Sequence, residues 1–344
     1  MTAACPTPHH EDDVVLLGHG AGGRLSAELL DALVLPALDG PGGPLEDAAL
    51  LPGHPGLVVS TDSFVVSPLF FPGGDIGSLA VHGTVNDLAM RGAWPLALSV
   101  ALIVEEGLPL AELRQVVQSL GKAARDAEVP VVTGDTKVVG RGAVDKVFVT
   151  TTGVGRRHPA LRPSAGLARP GDAVLLSAPI GLHGTTVLST REGLGFESDI
   201  ASDSRPLHRL VRALAPLGAQ VHTLRDPTRG GLAAALNEIA RDSLVAVEIE
   251  EAAVPVPEAV AAACDLLGLD PLVVANEGCL VAFVAAAAAD EALAALRSLP
   301  EGRAAVRVGE VLADGPAGRV TLRTLVGARR VLDLPLGELL PRIC

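Results

Sequence analysis

The chain has 344 residues, 49% of them hydrophobic and 19% charged, so it holds enough apolar material for two α/β-sized cores. Its formal net charge of −13 argues against nucleic acid or an anionic membrane surface as a partner, because both attract Lys and Arg. Four cysteines without C-x-x-C spacing indicate neither a zinc site nor a disulfide framework. The acidic start of the chain and the lack of a long apolar run predict a cytoplasmic protein without a signal peptide or membrane span.

The first half of the chain alternates predicted strands and helices. Its predicted elements are a strand at 14–17, a helix at 24–35, a strand-forming run at 57–66 interrupted at 61–63, a helix at 75–91, a strand at 96–104, a helix at 110–127, a strand at 129–139 broken at 133–135, and a strand at 144–154. The helix at 75–91 carries Val81, Val85 and Leu88 on one stripe, with His82, Asn86 and Asp87 on the opposite face.

A proline-containing segment at 156–170 is the best candidate for a linker between two domains. The predicted elements beyond it are strands at 173–177, 245–249, 272–275, 279–284 and near 306 and 320, and helices from about 183 and at 206–217, 230–241, 257–267 and 290–298. Two consecutive units of mixed strands and helices predict a pair of layered α+β domains, at 1–155 and 156–330, followed by a mobile tail at 331–344.

A glycine-rich loop at 18–23, GHGAGG, matches the dinucleotide-binding fingerprint G-x-G-x-x-G between a predicted strand and helix. The second apolar strand with a terminal acid that a Rossmann domain requires does not follow, since 38–44 is a Gly/Pro loop. We therefore disfavour a Rossmann domain. A loop that offers backbone N–H groups to phosphates in another fold stays open.

Five aspartates each stand beside a small residue at the edge of a predicted strand or helix. They are Asp47, Asp62, Asp87, Asp135 and Asp226. Hard oxygen ligands that converge from several elements are what Mg²⁺ on nucleotide phosphates requires. Taken singly, each also fits a structural role, because Asp226 could cap the following helix and Asp62 could lie in a turn.

The last residue is a cysteine, Cys344, on a proline-containing segment that predicts an extended, flexible tail. On its own this thiol fits sequence drift as well as a carrier arm, and prenylation is excluded because it needs a cysteine four residues from the end. The terminal carboxylate disfavours the thiolate, so we expect a thiol pKa near or above the free value of about 8.5, partly offset by Arg342. Cys5, Cys264 and Cys279 are interpreted as structural.

Two long runs, TDSFVVSPLFFPGGDIG at 61–77 and VHGTVNDLAM at 81–90, resemble the HypE family of hydrogenase-maturation carbamoyl dehydratases. Further segments agree with that family in the same order, at 18–23, 134–139, 225–232, 275–278 and 341–344 (PRIC). The resemblance covers nearly the whole chain. It implies two PurM-like domains, the fold of aminoimidazole ribonucleotide synthetase, with ATP between them and a homodimer formed through the N-terminal domains.

The resemblance also implies a reaction. A carbamoyltransferase, HypF, carbamoylates the sulfur of Cys344, ATP phosphorylates the carboxamide oxygen, and loss of phosphate leaves a thiocyanate whose cyanide passes to the HypC–HypD complex. Amide oxygen is a poor leaving group and phosphate a good one, which gives ATP and Mg²⁺ their purpose. The implied roles are catalytic for Cys344, Glu277, Lys137 and His82, nucleotide-binding for Gly18, Gly20, Gly22, Gly23, Asn86, Asp135 and Thr136, and metal-binding for Asp47, Asp62, Asp87 and Asp226.

Two other classes of function stay open at this point. A different PurM-like enzyme, such as selenophosphate synthetase or aminoimidazole ribonucleotide synthetase, would share the aspartates. The first of these has a reactive Cys or selenocysteine and a Lys in its N-terminal segment, and neither occurs in the loop at 18–23. The second class is a carrier that binds nucleotide only as a conformational switch.

Overall fold

The computed structural model describes residues 15–20, 22–38, 44–193, 200–334 and 342–344. Most of the predicted tail, at 335–341, and Cys5 lie outside the described residues. Within the described ranges, no helix combines the length and apolar character needed to span a membrane.

The first domain is a five-stranded sheet covered by two long helices. In chain order its strands are β1 (Ala49–Leu51), β2 (His54–Phe64), β5 (Ala93–Glu105), β6 (Val131–Val139) and β7 (Val147–Arg157), with a small hairpin of β3 (Phe70–Phe71) and β4 (Gly74–Asp75). The sheet order is β1-β2-β7-β5-β6, with β5 and β6 parallel and the other pairs antiparallel. Its helices are α1 (Arg24–Leu29), α2 (Leu35–Ala37), α3 (Ile76–Met90) and α4 (Leu110–Asp126), with a π-helical stretch (Leu30–Val34) between the first two.

The second domain is a seven-stranded sheet with helices packed against it. Its strands are β8 (Ala173–Leu176), β9 (Val221–Arg225), β10 (Ala246–Glu250), β11 (Val281–Val284), β12 (Val306–Leu312), β13 (Arg319–Arg323) and β14 (Arg329–Val331), in the order β14-β13-β10-β12-β8-β11-β9. Its helices are α5 (Leu182–Arg191), α6 (His208–Leu214), α7 (Gly231–Ser243), α8 (Glu258–Leu267) and α9 (Ala289–Arg297).

Helix α3 forms the centre of the first domain. The Asp75 carboxylate caps it by accepting hydrogen bonds from the N–H groups of Gly77 (2.7 Å) and Ser78 (3.1 Å). Strand β7 alternates buried and half-buried residues, as expected of a strand with one face on a core. Leu79 and Val85 of α3 are fully buried in that core. The helix therefore holds its polar residues at fixed positions against the sheet.

Most predicted elements are found within a few residues of their expected bounds, but four expectations are wrong. The strand predicted at 14–17 is not found in its described residues, because a 3₁₀ turn begins at Leu17 (Leu17–Gly20). The Leu16 N–H donates to the His19 ring (2.9 Å) across this turn. Strands β2 and β6 run without the expected breaks at 61–63 and 133–135, because every residue of both stretches is paired with the neighbouring strand. In place of the strand predicted at 272–275, the chain forms a 3₁₀ turn (Pro271–Val273), in which the Leu272 N–H donates to the Asp270 carboxylate.

The end of the second domain also differs from its expected boundary at 330. Strand β14 reaches Val331, and Leu332 is buried in the second core while its N–H donates to the carbonyl of Val320. The second domain therefore includes two residues that were expected to begin the mobile tail.

Candidate active site

Three aspartates from distant parts of the chain meet at the junction of the two domains. One carboxylate oxygen from each of Asp47, Asp87 and Asp226 lies within 4.8 Å of the other two. Asp47 precedes β1, Asp87 belongs to α3, and Asp226 follows β9 of the second sheet. The structure thus brings together three of the four aspartates predicted as metal ligands, and we call them the acidic cluster.

The carboxylates of the acidic cluster lie close to one another, with Asp226 buried and Asp47 and Asp87 half-buried. Burial and neighbouring negative charge disfavour the ionised form of a carboxyl group. Burial, followed by the charges of Asp226 and Asp47, raises the pKa of Asp87 well above its usual value. Burial and then Asp47 raise the pKa of Asp226 to about 8. Asp62, the fourth predicted ligand, lies in β2 outside the 4.8 Å group, but its charge also acts on both carboxyls. A cation in this position would remove the repulsion.

Hydrogen bonds fix the orientation of the acidic cluster from the outside. The Ser60 hydroxyl lies 2.5 Å from Oδ2 of Asp87 and 3.1 Å from the main-chain oxygen of Asp47. Arg225 donates from Nη1 to Oδ1 of Asp47 (2.5 Å) and from Nη2 to Oε2 of Glu238 (2.9 Å). These partners leave oxygen atoms of the three aspartates facing one another.

The glycine-rich loop opens onto the same place. Gly20, Gly22 and Gly23 line a cavity of about 430 Å³ that reaches Asp47, and an adjoining cavity of about 150 Å³ contains Asp226. Gly22 has φ of +76°, and a Cβ there would lie 2.8 Å from Cβ of Arg229, so only glycine allows this approach. Gly18 belongs to the 3₁₀ turn and is not among the residues that line these cavities.

Arg229 connects the loop to the other reactive groups. Its Nη1 donates to the carbonyl of Gly20 (3.1 Å). The charge of the Cys344 thiolate, ahead of those of Asp62 and Glu277, raises the pKa of Arg229. The guanidinium is therefore placed to stabilise negative charge on groups that lie between the glycine-rich loop and the end of the chain.

Glu277 is almost fully buried, at 2% exposure, on a backbone clamped by another acid. The Asp203 carboxylate accepts hydrogen bonds from the N–H groups of Glu277 (3.1 Å) and Gly278 (2.9 Å). A Cβ at Gly278 would lie 1.8 Å from the Asp203 carbonyl oxygen, so this close clamp requires glycine. Burial, followed by the charge of Asp226, raises the pKa of Glu277 well above its usual value. A carboxyl in such a setting can exchange protons near neutral pH.

The last three residues of the chain, 342–344, dock between the two domains. The Val65 N–H donates to the main-chain oxygen of Cys344 (3.1 Å), and the Ser67 N–H donates to that of Arg342 (3.2 Å). From the second domain, His183 Nε2 lies 2.8 Å from the carbonyl oxygen of Ile343. The terminal backbone is thereby held from both sides.

Side chains of the docked end add to this attachment. Ile343 is only 2% exposed and packs into the core of the first domain. The Arg342 guanidinium donates to the carbonyl of Val65 (2.9 Å) and pairs with the Asp145 carboxylate (2.8 Å). Arg342 is therefore turned away from the Cys344 sulfur, and the expected offset of the thiol pKa by this arginine is wrong.

The Cys344 thiol lies beside the acidic residues. Burial raises its pKa to about 12, and the charges of Glu277, Asp62 and Asp87 act in the same direction, while Arg229 opposes them. The expected pKa at or above 8.5 is met, with burial rather than the terminal carboxylate as the main cause. The docked sulfur is thus a poor nucleophile that sits next to a proton acceptor and an arginine.

Three predicted site residues lie elsewhere in the described chain. Asp135, Thr136 and Lys137 occupy the exposed strand β6, where Lys137 Nζ pairs with Oδ2 of Asp135 (2.7 Å) and Oδ1 of Asp135 accepts from the Thr136 N–H (2.8 Å). Asp135 and Thr136 border a separate cavity of about 540 Å³ on that face. The nucleotide-binding role of Asp135 and Thr136 and the catalytic role of Lys137 stay predictions.

Two further predicted residues have structural environments. The His82 ring is hydrogen-bonded to the Ser204 hydroxyl (3.0 Å). Burial lowers its pKa to about 4, and the charge of Asp126 acts in the opposite direction. Asn86 is fully buried, donates to the Arg205 carbonyl (3.1 Å) and accepts from the Leu207 N–H (2.8 Å). The Asn86 amide thus bonds the backbone next to Glu277, and His82 faces Ser204. The nucleotide-binding role of Asn86 and the catalytic role of His82 stay predictions.

Sequence reasoning missed four residues that contact or orient this site. They are His183, Arg191, Arg225 and Arg229. Arg225 and Arg229 flank Asp226 in the segment RDPTRGG at 225–231, so their spacing around a candidate ligand was an available signal. His183 and Arg191 lie within an ordinary helical pattern, and nothing in the sequence indicates that they face the end of the chain.

Comparison with known proteins gives the site its context. The AIR synthase related protein N-terminal domain matches residues 45–157, and the corresponding C-terminal domain matches residues 169–321. The chain is 54% identical over 331 residues to the carbamoyl dehydratase HypE of Cupriavidus necator, covering 95% of this chain and 94% of that protein. The chain belongs to the HypE family of carbamoyl dehydratases.

Solved HypE structures share the fold. One, in complex with ATP, is 51% identical with a TM-score of 0.82 and covers 96% of this chain and 100% of its own. Another, from a HypE–HypF complex, is 45% identical with a TM-score of 0.85 and covers 89% and 99%. The predicted family resemblance and the two-domain PurM-like fold are confirmed. The other PurM-like enzymes and the non-catalytic carrier are not favoured.

Proposed function

We propose that this chain dehydrates an S-carbamoyl group on its own Cys344 to an S-cyano group with ATP, as the HypE family name and its ATP complex indicate. The observation that carries the proposal is the docked chain end, because residues of both domains hold its backbone. Arg229, Glu277 and Asp87 are then near enough to act on the charge of the Cys344 thiol. In this reaction the carboxamide oxygen takes the γ-phosphoryl group of ATP, and the C–O bond then breaks as phosphate leaves.

The acidic cluster fits Mg²⁺. Three carboxylates from three elements supply hard oxygen donors within 4.8 Å of one another. Burial first, and then repulsion between neighbouring carboxylates, raises the pKa values of Asp87 and Asp226, and a divalent cation would relieve that repulsion. When bound, Mg²⁺ supplies charge neutralisation for the phosphates of ATP. The glycine loop offers N–H groups to those phosphates, and Arg229 adds a positive charge between the loop and the sulfur.

Glu277 is proposed as the base that takes protons from the carboxamide nitrogen. Its burial excludes water, and the Asp203 clamp fixes its backbone. A carboxylate with a raised pKa is a stronger base than an exposed glutamate, which suits removal of a weakly acidic N–H. We expect the dehydration rate to fall as the pH is lowered through the pKa of Glu277.

The end of the chain must leave its docked position before it can be carbamoylated. Its thiol pKa of about 12 makes the docked sulfur a poor nucleophile. We propose that HypF carbamoylates the undocked tail in the cytoplasm, that the modified tail docks again for dehydration, and that the HypC–HypD complex receives the cyanide. The complex of a relative with HypF supports the first step.

A mass measurement on intact protein tests the proposed reaction. HypF, carbamoyl phosphate and ATP should first add one carbamoyl group at Cys344, and the chain should then lose the mass of one water. Glu277→Gln should take up the carbamoyl group at the normal rate and retain it. A Cys279→Ser variant is the matched control, because that buried cysteine lies in the second core and should leave both steps unchanged. A carbamoyl group that persists on the unaltered chain with ATP and Mg²⁺ would contradict the proposal.

We also propose a homodimer formed along strand β6. This strand lies at the edge of its sheet and pairs only with β5 among the described strands, and it exposes Val132 (64%) and Val138 (69%). A second copy there would bring its Asp135, Thr136 and Lys137 toward the first.

Mixing two inactive variants tests this arrangement. If Lys137 acts in the cleft of the partner copy, then Lys137→Ala and Cys344→Ser subunits should recover dehydration activity when they exchange into mixed dimers. The Lys122→Ala variant, on the exposed face of α4, is the control that should stay active alone. A monomer by sedimentation, or no recovery in mixed dimers of proven composition, would rule out the shared site.

A further inference from the structure

The docked end of the chain is held by main-chain hydrogen bonds as well as by the side chains of Ile343 and Arg342. Helix α5 of the second domain supplies two of the main-chain hydrogen bonds. His183, early in α5, meets the carbonyl oxygen of Ile343, and Arg191, the last residue of α5, donates from Nη2 to the carbonyl oxygen of Arg342 (2.8 Å). Neither contact depends on the identity of the tail side chains. They fix where the backbone lies, and the sulfur follows one residue later.

The His183 ring is fixed in one orientation by its other neighbours. Its Nδ1 lies 2.8 Å from the hydroxyl of Ser202, whose oxygen also accepts from the Ser204 N–H (3.1 Å). The Ser202 N–H in turn donates to the Pro72 carbonyl of the first domain (2.9 Å). Because a carbonyl can only accept, Nε2 must carry the proton and Nδ1 must accept from the Ser202 hydroxyl. Burial lowers the pKa of His183, in agreement with this neutral ring.

Arg191 links the same segment to the first domain. Its Nε donates to the Ser67 carbonyl (2.8 Å) while its Nη2 holds Arg342, and the Ser67 N–H donates to the same Arg342 carbonyl. The planar guanidinium therefore spans both partners in one fork. The tail is enclosed between residues of the first domain and helix α5 of the second.

We propose that His183 and Arg191 are positioning residues for dehydration, which hold the Ile343 and Arg342 carbonyls so that the Cys344 sulfur stays in the nucleotide cleft. This inference rests on the proposed function for its chemical consequence. The docking itself is independent of that function, because it is measurable on the thiol in the absence of nucleotide and carbamoyl donor.

Alkylation of Cys344 by iodoacetamide, followed peptide by peptide by mass spectrometry, measures the undocked fraction. The docked thiol is half-buried and its pKa is raised, so unaltered protein should react more slowly than the free peptide Pro-Arg-Ile-Cys. His183→Phe keeps the ring against Phe71 (centroids 5.4 Å apart) but removes the donor, and we expect alkylation about fivefold faster, the effect of one lost hydrogen bond. His183→Gln keeps an N–H donor and should stay near the unaltered rate.

Two further variants control the measurement. His208→Phe makes the same change at another buried histidine, which packs against Trp94 away from the tail, and should leave alkylation of Cys344 unchanged. Arg191→Met removes the second donor and should accelerate alkylation independently, so the test survives if His183→Phe does not fold.

Kinetics then separate positioning from chemistry. In chains already carbamoylated, His183→Phe should lower single-turnover dehydration at saturating ATP by at most about fivefold, because the docked fraction cannot fall by more than the docking constant does. Its carbamoylation by HypF should not be slowed. The inference is overturned if unaltered Cys344 reacts as fast as the free peptide, or if both donor-removing variants alkylate at the unaltered rate. Dehydration lost without faster alkylation would equally overturn it, since His183 would then act on the reaction itself. A failure of the dehydratase proposal would instead appear as unaltered protein that keeps its carbamoyl group although its tail docks normally.

Discussion

The acidic cluster differs from the tail-docking site, which consists of Val65, Ser67, His183 and Arg191 around residues 342–344, in the interactions that hold it together. In the acidic cluster, burial sets like charges against one another and raises the pKa values of Asp87 and Asp226. At the docking site, by contrast, hydrogen bonds reach the main-chain oxygens of Arg342, Ile343 and Cys344. The docking site is formed by hydrogen bonds within the described residues, whereas the acidic cluster is the site proposed above for Mg²⁺. Four predictions can break or sharpen this contrast.

The largest effect is expected from removing one charge of the acidic cluster. Asp226→Asn should lower the dehydration rate at least about 100-fold, because it removes a predicted ligand of Mg²⁺. The same change should raise the melting temperature of the metal-free protein at pH 8 by about 2–4 °C, because it relieves repulsion with Asp47. Single-turnover assays and thermal unfolding measure the two effects.

Asp126→Asn is the matched control for that experiment. Asp126 is an exposed aspartate paired with Lys122 on α4, so its loss should change neither activity nor the response to Mg²⁺. A metal-free Asp226→Asn protein that melts lower than the unaltered one would show that the acidic cluster is not under repulsion.

A smaller loss is expected from the docking site. Ile343→Ala removes a side chain buried in the first core and should weaken docking by about 2 kcal/mol or more, or about 30-fold in the docked ratio. The dehydration rate should fall with the docked fraction, by at most about 30-fold. The stabilisation of the fold by Mg²⁺ should stay normal because the acidic cluster is intact. Truncation of the exposed Val326 (89%) to Ala is the control. Loss of the Mg²⁺ response in Ile343→Ala would show that the two sites are not separable.

Replacing Asn86 tests whether the backbone contacts of its amide keep the proposed base, Glu277, in position. Asn86→Ala leaves the Leu207 N–H and the Arg205 carbonyl without their buried partner and should cost about 1–3 kcal/mol of unfolding free energy. Because its amide does not face the glycine-rich loop, the KM for ATP should stay nearly unchanged while kcat falls through Glu277. Denaturant unfolding and steady-state kinetics report the two effects. A large rise in KM with unchanged stability would support the nucleotide-binding role first expected for Asn86.

The smallest effect is a slope of stability with pH in the metal-free protein. The folded pKa of Asp226 is raised to about 8, so the folded state keeps a proton that the unfolded state has lost, and stability falls as the pH rises toward 8. His82 and His208, with folded pKa values lowered to about 4, act oppositely, but their contribution is complete above the unfolded value of about 6.5. Between pH 7 and 8 the unfolding free energy should therefore decline, and saturating Mg²⁺ should flatten the decline. A rising slope in that interval would contradict the raised pKa.

Much of this protein could be predicted from its sequence. The sequence pattern predicted α3 to within one residue at each end and β7 to within three, because such patterns are local properties of the chain. The resemblance of the runs at 61–77 and 81–90 to the HypE family indicated the family, the fold and the role of the terminal thiol. Local reasoning erred where apolar residues form no regular element, as at Pro271–Val273, and where polar residues suggested breaks in β2 and β6.

The site itself was decided by tertiary structure. Asp47, Asp87 and Asp226 were candidates in the sequence, but only the packing of the two domains sets their oxygens within 4.8 Å and excludes Asp62 from that distance. The same packing commits the Asn86 amide to the backbone and turns α5 toward the chain end. Sequence patterns indicate which face of an element is buried. The charge state of a site side chain, its pKa and the groups that it can contact depend on the particular residues packed against it. Those three quantities depend on contacts between residues far apart in the chain, and the fold alone supplies them.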